Sequence, residues 1–226
     1  SLLLIIAGMM LVAAAGDLVL LFLGLELISI PTYIVLFVGR RTSEGREAAV
    51  KYFYLSILAS AILLFGLSFL YGAAGTTSIE GIHQRLLDGG GSLGGFAGLA
   101  LVFIFAGLSY KIAAVPFHFY APDVYQGTTN DGAALLSVAP KAAGFLALVR
   151  LVAVAAEGVS SDAWRIALAL AVLTMTTGNL LALWQDNLRR LLAYSSIAHA
   201  GYMLIGLAVY LGGNTLAGAA FDGVAA

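Results

Sequence analysis

An all-α, polytopic membrane fold of about seven transmembrane helices is predicted from three observations. Hydrophobic residues make up 61% of the chain and charged residues 10%, whereas soluble domains carry about 25% charged residues. Mean hydropathy is +0.99. The apolar runs reach the roughly 20 residues that a helix needs to cross the hydrocarbon core. A net charge of −1 leaves no basic field for nucleic acid, so the lipid bilayer, and no nucleic acid, is the expected partner. The chain has no cysteine, which excludes disulfides and cysteine-ligated iron–sulfur clusters or haem attachment within it. No signal peptide is visible, and Ser1 leads directly into an apolar run, as expected of a fragment of a longer protein.

The first span, Leu2–Ala15, is short for a crossing. The second is Leu18–Val38, and the third Ala48–Tyr71, opened by Glu47 and Lys51. A long connection, Gly72–Gly95, follows, with a short surface helix at Ser78–Leu87. The fourth span runs from Phe96 to about Phe119, the fifth is Gly132–Ala155, the sixth Trp164–Trp184 and the seventh Leu191–Leu211. Residues 1–211 thus form a transmembrane domain truncated at both ends, and 212–226 a small-residue tail. Arg40, Arg41, Arg46, Lys51, Arg189 and Arg190 fall on one side, which the positive-inside rule makes cytoplasmic; Arg85 and Arg165 fall on the other. The loop Pro122–Asp131 belongs to the cytoplasmic side but holds no basic residue. Trp164, Trp184, Tyr71 and Tyr125 fit interfacial belts. Gly89–Gly94 matches G-x-G-x-x-G by letter, but no strand precedes it, so it reads as a flexible connector.

Three ionisable residues interrupt these spans: Glu26, Lys111 and Lys141. A charge at bilayer depth costs about 2.5–3.5 kcal/mol on insertion scales, and such residues usually line ion or proton paths. Three of the four prolines lie beside them: Pro31 five residues after Glu26, Pro116 five after Lys111, and Pro140 directly before Lys141. A proline inside a helix frees the carbonyl four residues back, here those of Leu27, Ile112 and Leu136. A freed carbonyl at membrane depth must find a side chain or water, and broken helices build ion sites in transporters. Snorkelling to the interface is the structural alternative; it suits one lysine near a span end, but not Glu26 and Lys111, which lie well inside theirs. Burial disfavours the charged form of either residue, and a nearby opposite charge favours it. A Glu26–Lys111 pair would therefore act as a switch, the lysine losing its proton when the glutamate moves away, with Lys141 as the next acceptor.

Secondary candidates are His118, His199, Lys51 and Glu47. His118 lies seven residues after Lys111, roughly on the same helix face, and reads as a proton relay or as an anchor for a helix end. His199, in the polar run Ser195-Ser196-Ile197-Ala198-His199, reads as a relay or as a helix-packing residue. Glu47 and Lys51 form an i,i+4 pair that stabilises a helix start or feeds a cytoplasmic intake path. Asp123 has no cation near it in sequence and reads as ordering a turn; Arg150, near a span end, reads as snorkelling. The three histidines show no ligand spacing, so no metal site is expected.

Five stretches carry a further signal. They are Leu21-Phe22-Leu23-Gly24-Leu25-Glu26-Leu27; Glu47-Ala48-Ala49-Val50-Lys51-Tyr52-Phe53; Tyr110-Lys111-Ile112-Ala113-Ala114-Val115-Pro116-Phe117-His118 continuing to Ala121-Pro122-Asp123-Val124-Tyr125; Leu136-Ser137-Val138-Ala139-Pro140-Lys141-Ala142-Ala143-Gly144; and Leu188-Arg189-Arg190-Leu191-Leu192-Ala193-Tyr194-Ser195-Ser196-Ile197-Ala198-His199. In this order and spacing they resemble the antiporter-like subunits of respiratory complex I, NADH–quinone oxidoreductase, and within them the subunit N (subunit 2) family. The resemblance implies about fourteen spans around two inverted five-helix repeats, of which this chain would hold the fourth to the tenth, one complete repeat and two helices of the next. It assigns the glutamate role to Glu26, the central lysine to Lys111 and the connecting lysine to Lys141. The family's late lysine has no counterpart here. Thr128-Thr129-Asn130-Asp131-Gly132 departs from the family's threonine-proline turn.

The resemblance further implies a translocase: protons move through buried Glu and Lys residues while quinone is reduced elsewhere in the complex. NADH, FMN, iron–sulfur clusters and quinone would belong to the whole complex and no cofactor to this chain, whose partners would be other membrane subunits. A multi-pass protein of a bacterial inner membrane is expected, the Ala and Gly richness pointing to a bacterial source. A cation–proton antiporter subunit, a membrane-bound hydrogenase subunit or a purely structural scaffold would carry similar core charges.

Overall fold

The computed structural model describes the backbone of residues 1–39, 42–88, 94–159 and 163–222, and the side chains of these except 87–97, 153–159 and 213–222. Arg40, Arg41, the stretch 89–93 of the glycine pattern and the last four residues of the tail lie outside the described residues. In order, the elements are α1 (Leu2–Ala14), α2 (Leu18–Gly39), α3 (Ser43–Ala74), α4 (Ile79–Asp88), α5 (Gly94–Ile112), a 3₁₀ turn (Phe117–Phe119), α6 (Tyr120–Gly127), α7 (Asn130–Val159), α8 (Ala163–Leu183) and α9 (Leu188–Asp222). Among the described residues six helical stretches are long and apolar enough to cross a membrane: α2, α3, Gly98–Gly127, the α7 stretch Asn130–Val152, α8 and Leu188–Gly212. With the shorter apolar helix α1 they make the polytopic helical fold that the sequence predicts.

The helix starts follow side-chain caps. Thr42 Oγ1 accepts from Gly45 N at 3.2 Å, so α3 begins five residues before Ala48. Thr129 Oγ1 accepts from Gly132 N at 3.2 Å and starts α7 inside the turn that departs from the family pattern. Asn187 Oδ1 accepts from Arg189 N at 2.9 Å, which brings both arginines into the first turn of α9. Each such cap satisfies a backbone donor that the first turn leaves without a partner. At its other end α9 continues past residue 211 to Asp222.

Small residues let helices approach closely where lipid offers no hydrophobic drive between them. A methyl added at Gly107 of α5 would lie 2.7 Å from Leu63 Cβ of α3. On α7, a methyl at Gly144 would lie 3.0 Å from Lys111 Cβ. The outer faces stay apolar, as in Leu3, Leu183 and Trp184, each 81% exposed.

Two expectations are corrected. Pro31 and Pro140 lie inside α2 and α7 as expected, but neither breaks its helix: both helices run on through them. Pro116 does not sit in a helix, because α5 already stops at Ile112. Arg150 Nη1 donates to Ala15 O at 2.6 Å and Val12 O at 3.2 Å, placing a cation on the carbonyl end of α1.

Candidate proton-transfer site

The break in the fourth span is a helix stop written into the backbone. Ala113 takes a left-handed φ of 58°. Its N–H bonds to Tyr110 O at 3.0 Å, and the Ala114 N–H reaches back to Ser109 O at 2.8 Å. These are the two bonds of a Schellman ending, with alanine where glycine is usual. The next N–H, of Val115, donates to Thr174 Oγ1 of α8 at 3.1 Å. After the turn, α6 resumes the crossing as a second half-helix. Lys111 thus stands in the last turn of α5, where the carbonyl end of the helix favours a cation.

Lys111 is 3% exposed. Its Nζ lies 3.3 Å from Glu26 Oε1, 2.5 Å from Ser29 Oγ and 3.4 Å from Ser60 Oγ. Ser60 Oγ donates to Glu26 Oε1 at 2.5 Å, and Ser29 Oγ donates to Leu25 O at 2.9 Å. The three ammonium protons therefore each meet an oxygen, and α2, α3 and α5 converge on one charge. The expected meeting of Glu26 and Lys111 is present. Ser29 and Ser60 were absent from the sequence reading; Ser29 was findable, being three residues from Glu26 on the same helix face.

Lys141 of α7 is 6% exposed. It donates to Ser196 O at 2.9 Å and Ser196 Oγ at 2.5 Å, both from α9. Among the described residues it has no carboxylate partner, unlike Lys111. Tyr125 belongs to no interfacial belt: it is buried at 6% exposure, because α6 packs against α3 and α9, and its hydroxyl stands beside the Ser196 side chain.

At one end of this bundle lies a second charged group. Lys51 Nζ is 2.7 Å from Glu47 Oε1 and 2.8 Å from Asp123 Oδ2. Asp123 Oδ1 takes Arg190 Nη1 at 2.7 Å. Asp123 therefore does more than order a turn: it ties α6 to α3 and to α9 through cations 72 and 67 residues away, a separation that local sequence cannot reveal. A cavity of about 160 Å³ lies against Glu44, Glu47, Lys51 and Asp123. These residues are solvent-accessible.

Among the described residues neither His118 nor His199 bonds to Lys111 or Lys141. His118 sits in the 3₁₀ turn, so helical spacing from Lys111 does not apply across the stop; its Nδ1 is buried without a hydrogen bond among the described residues. His199 is exposed on α9, its Nδ1 2.7 Å from Ser195 O and its ring edge-on to Tyr202. No group of three or more His, Cys, Asp or Glu residues among the described residues is arranged to hold a metal.

Residues 15–223 match the family described as NADH:quinone oxidoreductase/Mrp antiporter, transmembrane. NADH-quinone oxidoreductase subunit N of Trichlorobacter lovleyi is 46% identical over 201 residues, which are 89% of this chain and 41% of that protein. A chain of respiratory complex I from Thermus thermophilus, solved with aureothin bound, superposes with a TM-score of 0.73 at 41% identity, over 87% of this chain and 42% of that one. A chain of the Mrp complex from a Dietzia species has a TM-score of 0.79 at 27% identity, over 92% of this chain and 38% of that one. The chain thus spans about two fifths of the length of the curated relatives it matches. It belongs to the NADH:quinone oxidoreductase/Mrp antiporter transmembrane family.

Proposed function

We propose that this chain is the central part of the proton-translocating subunit N of a bacterial NADH–quinone oxidoreductase, residues 1–211 forming its transmembrane domain. Identities near 45% to proteins named subunit N, against 27% to the Mrp chain, favour this over the antiporter reading. The observation that carries it is a fully bonded ammonium at a helix break, 3.3 Å from a carboxylate on another helix. With Glu26 in place, Lys111 keeps its proton. When conformational change in the complex withdraws Glu26, the charge loses its counter-ion in a poorly solvated setting and the proton leaves. Lys141, held only by Ser196, is the next acceptor. His118, His199, Lys51 and Glu47 act as secondary members, Lys51 and Glu47 at the intake. Redox chemistry belongs to partner subunits carrying NADH, FMN, iron–sulfur clusters and quinone.

The test is Lys111→Met in the full-length subunit within the assembled complex. Inside-out vesicles energised with NADH are expected to lose most proton uptake while complex content stays normal. Undiminished uptake would refute the reading. Uptake that requires sodium and proceeds without quinone reduction would favour the antiporter.

A further inference from the structure

Ala113 to Pro116 form the turn that follows α5, and the backbone donors there can be accounted for one by one. The Ala113 and Ala114 N–H groups close on Tyr110 O and Ser109 O, and the Phe117 N–H closes on Ala114 O at 2.8 Å. Pro116 has no N–H. The Val115 N–H is satisfied from outside the crossing, by Thr174 Oγ1 of α8 at 3.1 Å. The upstream side is held separately. The Tyr120 hydroxyl donates to Tyr110 O at 2.9 Å, and the Tyr110 hydroxyl to Tyr52 O of α3 at 3.2 Å.

Thr174 is 0% exposed. The other buried residues of α8 are Ala163, Ala167, Ala171 and Gly178, all small and without a polar side chain. Small residues suffice for close contact with α9. A methyl added at Gly178 would lie 2.8 Å from Ala198 N, and one at Gly201 3.0 Å from Ala171 O. Packing against α9 therefore asks for no hydroxyl on this face, and the Thr174 oxygen serves the break instead. The same α9 carries Ser196, which holds Lys141. One tightly packed helix pair thus touches the settings of both lysines. It meets Val115, four residues past Lys111, through Thr174, and Lys141 itself through Ser196. A buried amide is costly to leave without an acceptor, so the turn at Val115 follows Thr174.

We propose that Thr174 is a positioning residue for Lys111: by accepting the Val115 amide it fixes the helix break to the α8–α9 pair, so that a shift of this pair is passed to the Lys111 ammonium and its hold on Glu26. This rests on the proton-transfer reading above. Thr174 itself touches neither lysine and exchanges no proton with them; it acts through the backbone of the turn.

The test uses the full-length subunit in the assembled complex, with proton uptake measured per NADH oxidised in energised vesicles. Thr174→Val keeps the shape and removes the acceptor; Thr174→Ser keeps the acceptor and removes a methyl. Uptake is expected to fall about threefold in Thr174→Val, within the range for a residue that acts through others, and to return in Thr174→Ser. The second comparison introduces Glu26→Gln into both backgrounds. With the break unpinned, Lys111 no longer depends fully on Glu26, so Glu26→Gln is expected to cost clearly less in Thr174→Val than in the unaltered protein. A residue that served stability alone would lower complex content and leave the effect of Glu26→Gln the same in both backgrounds. That equality, or a Thr174→Ser as impaired as Thr174→Val, overturns the positioning role. Absence of any Glu26→Gln effect in the unaltered background overturns the proton-transfer reading instead. Should Thr174→Val fail to assemble, Thr174→Ala takes its place in both comparisons; failure of both to assemble marks a purely structural residue and overturns the proposal.

Discussion

Lys111 hydrogen-bonds to three side chains, and removing a serine partner should weaken the site without emptying it. Ser60 bonds both the ammonium and Glu26. Ser60→Ala is expected to cost about 1 kcal/mol, typical of polar contacts between membrane helices, read as a lower thermal midpoint of the detergent-solubilised complex. It should slow proton uptake without abolishing it, because Glu26 remains. Ser29→Ala removes the 2.5 Å contact and should behave alike. For Lys141, Ser196→Ala leaves the backbone carbonyl of residue 196 in place, so a smaller loss of uptake than in Lys141→Met is expected. The ionisable members were legible in the sequence because a charge in an apolar run stands out. Their serine partners were not, since a hydroxyl is common in membrane helices and only the tertiary approach of α3 to α2 shows which serine matters. Asp123 and Tyr125 escape local reading for a related reason: local sequence suggests a turn residue and a belt residue, while their partners lie about 70 residues away, before or after them in the chain.

Among the elements, the interrupted α5–α6 crossing is the most specific prediction of the fold, and its stop is testable at one residue. Ala113 at φ 58° bears the left-handed penalty of about 1–2 kcal/mol that glycine escapes. Ala113→Gly is expected to be neutral or mildly stabilising. Ala113→Val, β-branched in that region, should destabilise by at least about 1 kcal/mol and lower complex content, measured by immunoblot of native gels. The break itself was legible from Pro116 beside Lys111, but its mechanism was not: the helix stops through the alanine turn before the proline is reached. Pro31 and Pro140 carried the same sequence signal, and α2 and α7 continue through them. At the opposite end of the bundle Asp17 starts α2, and the Thr77 hydroxyl bound to it holds its carboxyl below the ordinary value of 3.8. A depressed carboxyl stabilises the fold above its unfolded value and loses that effect as pH falls through the folded one. Thr77→Val should therefore reduce stability at neutral pH and leave it little changed near pH 2, checked by thermal melts at both values.

As a whole, the molecule is a bundle with an apolar exterior and a largely apolar core, within which a few buried polar and charged groups on α2, α3, α5, α6, α7 and α9 are gathered. Span number and order were legible from hydropathy alone, because apolar length is a direct physical requirement of the bilayer. Orientation is an expectation from the basic residues, and Lys51, Asp123 and Arg190 lie together at one end of the bundle. Because the chain has no cysteine, single reporters are clean: Gln185→Cys is expected to react with a membrane-impermeant maleimide from the cytoplasmic side only, and Thr76→Cys from the other side only. The central claim is that the Glu26 charge governs the Lys111 proton. Glu26→Gln tests it most directly, since the amide keeps the size and an acceptor for Ser60 but removes the charge. Proton uptake by NADH-energised vesicles carrying this variant in a fully assembled complex is expected to drop at least fivefold, with Glu26→Asp retaining most of it. Uptake equal to that of the unaltered complex would contradict the switch.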